Sequence, residues 1–447
     1  MKKKGRKKQR LITAVVANPE GEIFELEGYA AVGMAGPSLV PLTKDDTVDL
    51  PFGSEQMLLP DRSPIVYHIE TDRFETLKTN PYTARETIFP VAAFNSPGYM
   101  IRYVSAYREK ENAGYLPLFS YGAVGWYDGA FRSSVIQVDR ERRQDLRLMK
   151  PEDVLSGIDE MRRKMPANRL RQHLEKCALT YGCPAGKNFF LGRFEAPLPT
   201  SRQCNAQCLG CISLQDNDDM VHCQERIGFT PSPEEITEVA LAHIARVKHA
   251  VVSFGQGCEG DPLLAAHVIA PAIRMIRSAT GQGTINMNTN GSRPDVLKEL
   301  FDAGLDSIRV SLNSVREPCY NAYFRPRGYQ FSDVVRCLDM AADRRKFSSI
   351  NYLNCPGFTD TPEETEAVVA FIEEHRINHV QWRNLNYDPV RYWKVMDAVS
   401  HHGKPLGMKK MLRQVTASSP DLTYGYFNPP KEKWNDLATE AQSPVYG

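Results

Sequence analysis

"TSRQCNAQCLGCISLQ", residues 200–215, sets cysteines at 204, 208 and 211, separated by three and then two residues. The chain holds ten cysteines in 447 residues, too sparse for a disulfide-stapled small domain, so thiols this close point to metal or redox chemistry. A structural zinc site asks for four closed donors, commonly as two separated pairs, and no second Cys-x-x-Cys pair follows. His222 and Cys223, 11 and 12 residues downstream of Cys211, stand as available fourth donors. A four-iron cluster is the other choice, because three thiolates leave one iron open to a small molecule. From the cysteines alone both readings stay open.

Working outward, the flanking sequence sets the fold. Beyond residue 196, apolar runs read as strands at 249–255, 284–290, 307–313, 349–355 and 379–386, with helical patterns between them. Ser232, Pro233 and Glu235 spell a capping box that opens one helix, and Thr361, Pro362 and Glu364 spell another. Gly304 stands where "RPDVLKELFDAG" should stop. Repeated strand-helix units predict an α/β parallel sheet in a barrel or doubly wound layout, with chemistry at the carboxyl ends of its strands. The three cysteines follow the predicted first strand, "EAPLPTSRQ".

Upstream the rhythm differs. From 11 to 150, short alternating runs such as "LITAVVA" and "IFELEGYAAV" are broken by turn formers, which predicts a β-rich N-terminal domain. Residues 151–195 read as a helical connector, 196–390 as the α/β unit, and 391–447 as a C-terminal extension with a helix and a strand. Residues 1–10 form a basic arm of seven lysines and arginines, normally solvated and also suited to nucleic acid or another polyanion. Overall, 55 basic residues meet 54 acidic ones, so the molecule as a whole is not a polyanion binder by charge. No secretory leader and no apolar stretch of about 18 residues is seen, so no membrane span and a cytoplasmic location are expected.

The cysteine run resembles the Cx3Cx2C signature of the radical S-adenosylmethionine (SAM) superfamily, and three further stretches in order make the resemblance specific. "SFGQGCEGDP", 253–262, resembles the family's Gly-Gly-Glu-Pro loop: Gly260, Asp261 and Pro262 match in type and Glu259 replaces the first glycine. "NMNTNGS", 286–292, which contains Asn290, resembles a strand end that packs close to the cofactor. In "RVSLNS", 309–314, Ser311 and Asn313 match positions that face SAM in relatives. "VQWRNLN", 380–386, would be the sixth strand, with Gln381, Arg383, Asn384 and Asn386 expected on the cavity or its rim.

The resemblance implies a partial (β/α)6 TIM-like barrel, a [4Fe-4S] cluster on Cys204, Cys208 and Cys211, and SAM as cofactor. It assigns Gly257, Glu259, Gly260, Asp261 and Pro262 to the methionine end of SAM, and Asn290, Ser311 and Asn313 to the remaining contacts. It implies reductive cleavage of SAM by a low-potential donor of the flavodoxin or ferredoxin type, and a 5'-deoxyadenosyl radical that abstracts hydrogen from a substrate. The substrate class, whether RNA, protein or metabolite, is not written in the sequence. One departure is Gly210, where relatives often carry an aromatic residue. No cysteine follows Cys355, which disfavours subclasses that need auxiliary clusters. Cys177, Cys183, Cys223 and Cys258 are read first as buried or incidental thiols, with an extra metal or redox role for Cys177 and Cys183, and a place near the cofactor for Cys223 and Cys258, second. The contrasting reading is a non-catalytic iron-sulfur or zinc protein in a structural or electron-transfer role, which predicts no SAM binding.

Overall fold

A computed structural model describes residues 10–83, 85–142, 145–215, 217, 219–221 and 223–435. The basic arm up to residue 9, His222 and the tail beyond residue 435 lie outside them. The chain forms two compact units: residues 1–137, 354–363 and 384–411 make the first, and 138–353, 364–383 and 412–447 the second.

The first unit is an antiparallel sheet of thirteen strands among the described residues. Its strand Thr13–Ala17 shows why the amino-terminal runs are so apolar. Ala14 and Val16 pack with Leu26, Tyr29 and Val66, whereas Val15 and Ala17 pack with Val91, Ala93 and Val124. Successive side chains point to opposite faces, and here both faces are covered. Burying each large side chain contributes about 1.5–3 kcal/mol. Strand Arg62–His68 brings Arg62, fully buried, to Glu109 at 3.1 Å and to Asp388 at 2.9 Å, and the Tyr107 hydroxyl donates to Asp388 at 2.7 Å. Asn384 and Asn386, expected at the cavity, are spent here instead. Asn384 accepts from the Ile101 N–H and donates to the Tyr99 carbonyl, and Asn386 donates to the Leu118 carbonyl.

The second unit starts with three helices, α1 (Pro151–Lys164), α2 (Arg169–Thr180) and α3 (Pro184–Leu191). A seven-stranded sheet follows, its strands neighbours in chain order. They are Glu195–Pro197, Val251–Phe254, Thr284–Thr289, Ser307–Leu312, Phe347–Asn354, His379–Asn384 and Thr423–Tyr424. The first five pair in parallel, as does the last pair. Between them run α4 (Pro233–Ile244), α5 (Ala266–Ala279), α6 (Pro294–Ala303), α7 (Glu317–Phe324), α8 (Phe331–Asp343) and α9 (Pro362–Glu374). This is the partial (β/α) barrel expected from the alternation, preceded by a β-rich region. The capping box forms at α4, where Glu235 N–H donates to Ser232 Oγ and Ser232 N–H to Glu235 Oε2. Gly304 stops α6 in a left-handed conformation, φ 117°.

The Glu364 carboxylate, fully buried, takes Ser314 Oγ at 2.9 Å, Arg316 Nε at 2.7 Å and the Tyr352 hydroxyl. A guanidinium and two hydroxyls are what a buried carboxylate needs.

Much of the polar barrel interior is paired, as buried polar groups generally are. Asn428 N–H donates to Glu195 Oε2 at 3.0 Å and its amide to Oε1 at 2.8 Å; Ser307 donates to Asn286 at 2.8 Å; Arg309 donates to Gln381 at 3.0 Å and to the Tyr426 carbonyl at 2.8 Å. Gln381, expected to line the cavity, is thus held by Arg309.

Candidate active site at the cysteine loop

Cys204, Cys208 and Cys211 lie on the loop that leaves the first strand of the parallel sheet, all three partly buried. The loop is tied on two sides. On one, Gln207 N–H donates to the Phe324 carbonyl at 2.9 Å, Leu209 N–H to the Tyr323 carbonyl at 3.0 Å, and Arg327 N–H to the Asn205 carbonyl at 2.8 Å. These bonds dock it on the end of α7, and the buried Tyr323 also interacts with the Gly210 backbone.

On the other side the loop meets residues 255–262. Gly260 N–H donates to the Ser201 carbonyl at 2.7 Å and Asp261 N–H to the Gln203 carbonyl at 2.8 Å. A Cβ at Gly260 would sit 1.9 Å from the Gln203 oxygen, so only glycine allows this approach. Gly255 is equally constrained: φ is +79° and a Cβ would meet the Asn288 oxygen at 1.7 Å.

Glu259 clamps the two loops together. One carboxylate oxygen accepts from the N–H groups of Thr200 at 2.7 Å and Ser201 at 2.8 Å, and the other from Gly255 at 2.7 Å and Gln256 at 2.8 Å. Burial pushes its pKa up to about 7, against the pull of those four donors. Asp261, pushed up to about 6 by burial, accepts from Leu263 N–H, Thr289 Oγ1 and Asn290 N–H. Pro262 starts the short 3-10 turn that Asp261 caps. Asn290 in turn donates to Asn205 Oδ1 at 2.8 Å, inside the cysteine run. Gly257 lies in the same loop; a Cβ there would meet Gln224 Nε2 at 2.6 Å and Ile212 at 2.8 Å.

Asn313 is fully buried and its amide donates to the Cys319 carbonyl at 3.1 Å, bracing the turn into α7. Ser311, half-buried on the strand before it, makes no side-chain hydrogen bond among the described residues. Its registered neighbour Asn351 has a buried Oδ1 without a partner among them. Arg383, on the sixth strand, likewise makes no side-chain hydrogen bond among the described residues, and its charge is felt by Tyr323 and Cys223. Ser311, Asn351 and Arg383 are the polar groups held ready on strands four to six. Asn351 was legible only as one residue of a strand, because nothing in "SINYLNC" says which face lines the barrel.

The three loop thiols suit a cluster better than a single ion. They are near enough for mutual electrostatic effects, yet among the described residues they are not a set whose donor atoms lie within 4.8 Å of one another. Burial pushes the Cys204 thiol up to about 12 and Cys208 well above its usual range, so bare thiolates are disfavoured there without a cationic partner. Arg226 supplies some positive charge, its Nη2 3.5 Å from Cys211 Sγ.

Residues 198–372 match the Radical SAM superfamily. No curated protein matches the chain by sequence. Among solved structures, it is similar to the FeFe-hydrogenase maturase HydG from Carboxydothermus hydrogenoformans, at 15% identity and a TM-score of 0.37 over 68% of this chain and 75% of that one. It is similar to methylornithine synthase (PylB) at 14% identity and a TM-score of 0.38, over 67% and 80% of the two chains. It is also similar to a radical SAM methyltransferase from Sphaerobacter thermophilus at 14% identity and a TM-score of 0.37, over 52% and 66%. Three cysteines in the family's spacing, on the loop that leaves the first strand of a parallel barrel, fall inside the matched segment, and residues 198–372 form a radical SAM superfamily domain that uses a [4Fe-4S] cluster and S-adenosylmethionine.

Proposed function

We propose that the chain is an enzyme in which Cys204, Cys208 and Cys211 hold the cluster and the 255–262 loop receives the methionine end of SAM. The observation that supports this reading best is the pair of backbone bonds from Gly260 and Asp261 to Ser201 and Gln203, which bring the two loops together at the first cysteine. When bound, the cluster and SAM supply reductive carbon-sulfur cleavage and a carbon-centred radical for hydrogen abstraction.

The chain's own residues then have distinct tasks. Glu259 and Asp261 spend their carboxylates on backbone N–H groups and a hydroxyl, so they shape the loop and leave its outward polar groups to the ligand. Ser311, with Asn351 in register beside it, is assigned to the ribose or carboxylate; Asn313 positions that strand end through Cys319. Arg226 holds a donor against Cys211, which favours the more negative, reduced state. The reaction needs an electron from a low-potential donor of the flavodoxin or ferredoxin type and a substrate that offers an unreactive C–H bond.

The test is 5'-deoxyadenosine release from SAM by the anaerobically reconstituted, reduced protein, beside a variant with Cys204, Cys208 and Cys211 all replaced by alanine. Release that depends on those cysteines is expected. Iron bound without any SAM binding would move the chain to the structural or electron-transfer class.

A further inference from the structure

Away from the cysteine loop, His173, Cys177 and Cys258 bring one nitrogen and two sulfur atoms within 4.8 Å of one another. His173 and Cys177 lie four residues apart on α2, hence on one face of the helix. Cys258 comes from the 255–262 loop, 85 residues from His173 in sequence. Both sulfurs are buried. We propose that these three side chains hold a single zinc ion, through His173 Nε2 and the thiolates of Cys177 and Cys258.

The distances argue for one ion. A tetrahedral zinc with bonds of about 2.3 Å to sulfur and about 2.0 Å to nitrogen sets those donors about 3.5 Å apart. His173 Nε2 stands 3.4 Å from Cys258 Sγ and 3.5 Å from Cys177 Sγ. Donors on a cubane sit on different irons and therefore spread wider. Mixed thiolate and imidazole donors are the set that zinc prefers among abundant divalent ions. Cys183, which opens α3, lies nearby without belonging to the set of donors within 4.8 Å, so the fourth position is left to it or to water. The Cys183 N–H donates to the Cys177 carbonyl at 3.1 Å, and its thiol is within electrostatic reach of both Cys177 and Cys258.

Such an ion would fasten α2 to the loop whose next residues, Glu259 to Asp261, grip the entrance to the cysteine run. Its role is to position that loop, not to react.

The experiment is elemental analysis of the full-length protein purified anaerobically with zinc in the medium. Stoichiometric zinc is expected beside iron. It should persist when Cys204, Cys208 and Cys211 are replaced by alanine, and disappear in His173→Asn and in Cys177→Ser while iron remains. Because Cys177→Ser removes a buried group, zinc-edge X-ray absorption on the unsubstituted protein gives a second readout, with sulfur neighbours expected at about 2.3 Å and nitrogen at about 2.0 Å. Zinc that is absent, that survives both substitutions, or that shows only oxygen neighbours overturns the proposal, as does a Cys177–Cys258 disulfide in the anaerobic protein.

Discussion

Two sets of sulfur donors in the second unit are built in opposite ways. Cys204, Cys208 and Cys211 come from a single loop, and their spacing in sequence is already the pattern of the site. His173, Cys177 and Cys258 come from a helix and a distant loop, and only the fold brings them together. The loop set depends on its backbone being held from outside; the helix set depends on two elements keeping their places. The first is therefore most sensitive to backbone packing, the second to whatever moves α2.

The largest effect should come from Gly260→Ala. The new methyl would lie 1.9 Å from the Gln203 oxygen, a backbone atom that cannot step aside without pulling Cys204 with it. A loss of at least about 3 kcal/mol of stability is expected, with failure of cluster loading. Denaturant unfolding and iron content check this, and a variant that loads iron normally would mean the loop is held elsewhere.

Next in size is an acid effect that acts on the helical side. His243, in α4, is fully buried with Nε2 3.2 Å from the Phe194 carbonyl, and burial lowers its pKa to about 4. The unfolded chain takes up the proton near 6.5 while the folded chain does not, so stability present above that pH is lost as the pH falls toward 4. The full loss is about 3 kcal/mol. His243→Leu should remove this contribution and leave the opposite slope of Glu259 and Asp261, whose raised pKa values make the folded chain take up their protons first; an unchanged slope would remove His243 as a source. α2 is braced on α4 through Asn168 to the Glu235 carbonyl and Arg169 to the Glu235 carboxylate, so acid loosening would be felt first by His173 and Cys177.

Glu259→Gln separates charge from shape. An amide keeps one oxygen acceptor but turns an NH2 toward two N–H groups, so a cost of about 2 kcal/mol and weaker SAM binding are expected. Calorimetric SAM titration beside thermal unfolding would measure both. Retained stability with lost binding would return Glu259 to direct ligand contact.

What could be read in advance follows the same division. The strands from 249 onward, the α4 capping box and the loop cysteines were legible because each is a local pattern: apolar periodicity, a four-residue cap, a fixed spacing. Glu364 read as part of a local helix cap, whereas its carboxylate also takes Arg316, 48 residues away, which no local pattern shows. Glu259 looked like a stand-in for a glycine, since its four N–H partners are on separate segments. Asn384 and Asn386 were polar for the backbones of Tyr99, Ile101 and Leu118, which no strand pattern reveals. His173 and Cys177 carried one faint local signal, two soft donors four apart on an amphipathic helix, but Cys258 had to be placed by the fold.

The finest contrast lies within one strand end. Ser311 and Asn313 alternate along the same stretch and read alike in sequence, yet only Asn313 is committed to the protein, through the Cys319 carbonyl at 3.1 Å. Asn313→Ala should cost about 1–2 kcal/mol of stability, because it leaves that buried carbonyl short of a donor. Ser311→Ala should change stability by less than about 0.5 kcal/mol. If Ser311 donates to SAM, losing one hydrogen bond of about 1 kcal/mol raises the KM for SAM roughly five-fold. Paired measurements of melting temperature and SAM dependence on the two variants separate the roles. A Ser311 variant that melts early and binds normally would exchange the two assignments, and with them the direction in which this strand presents its polar face to the ligand.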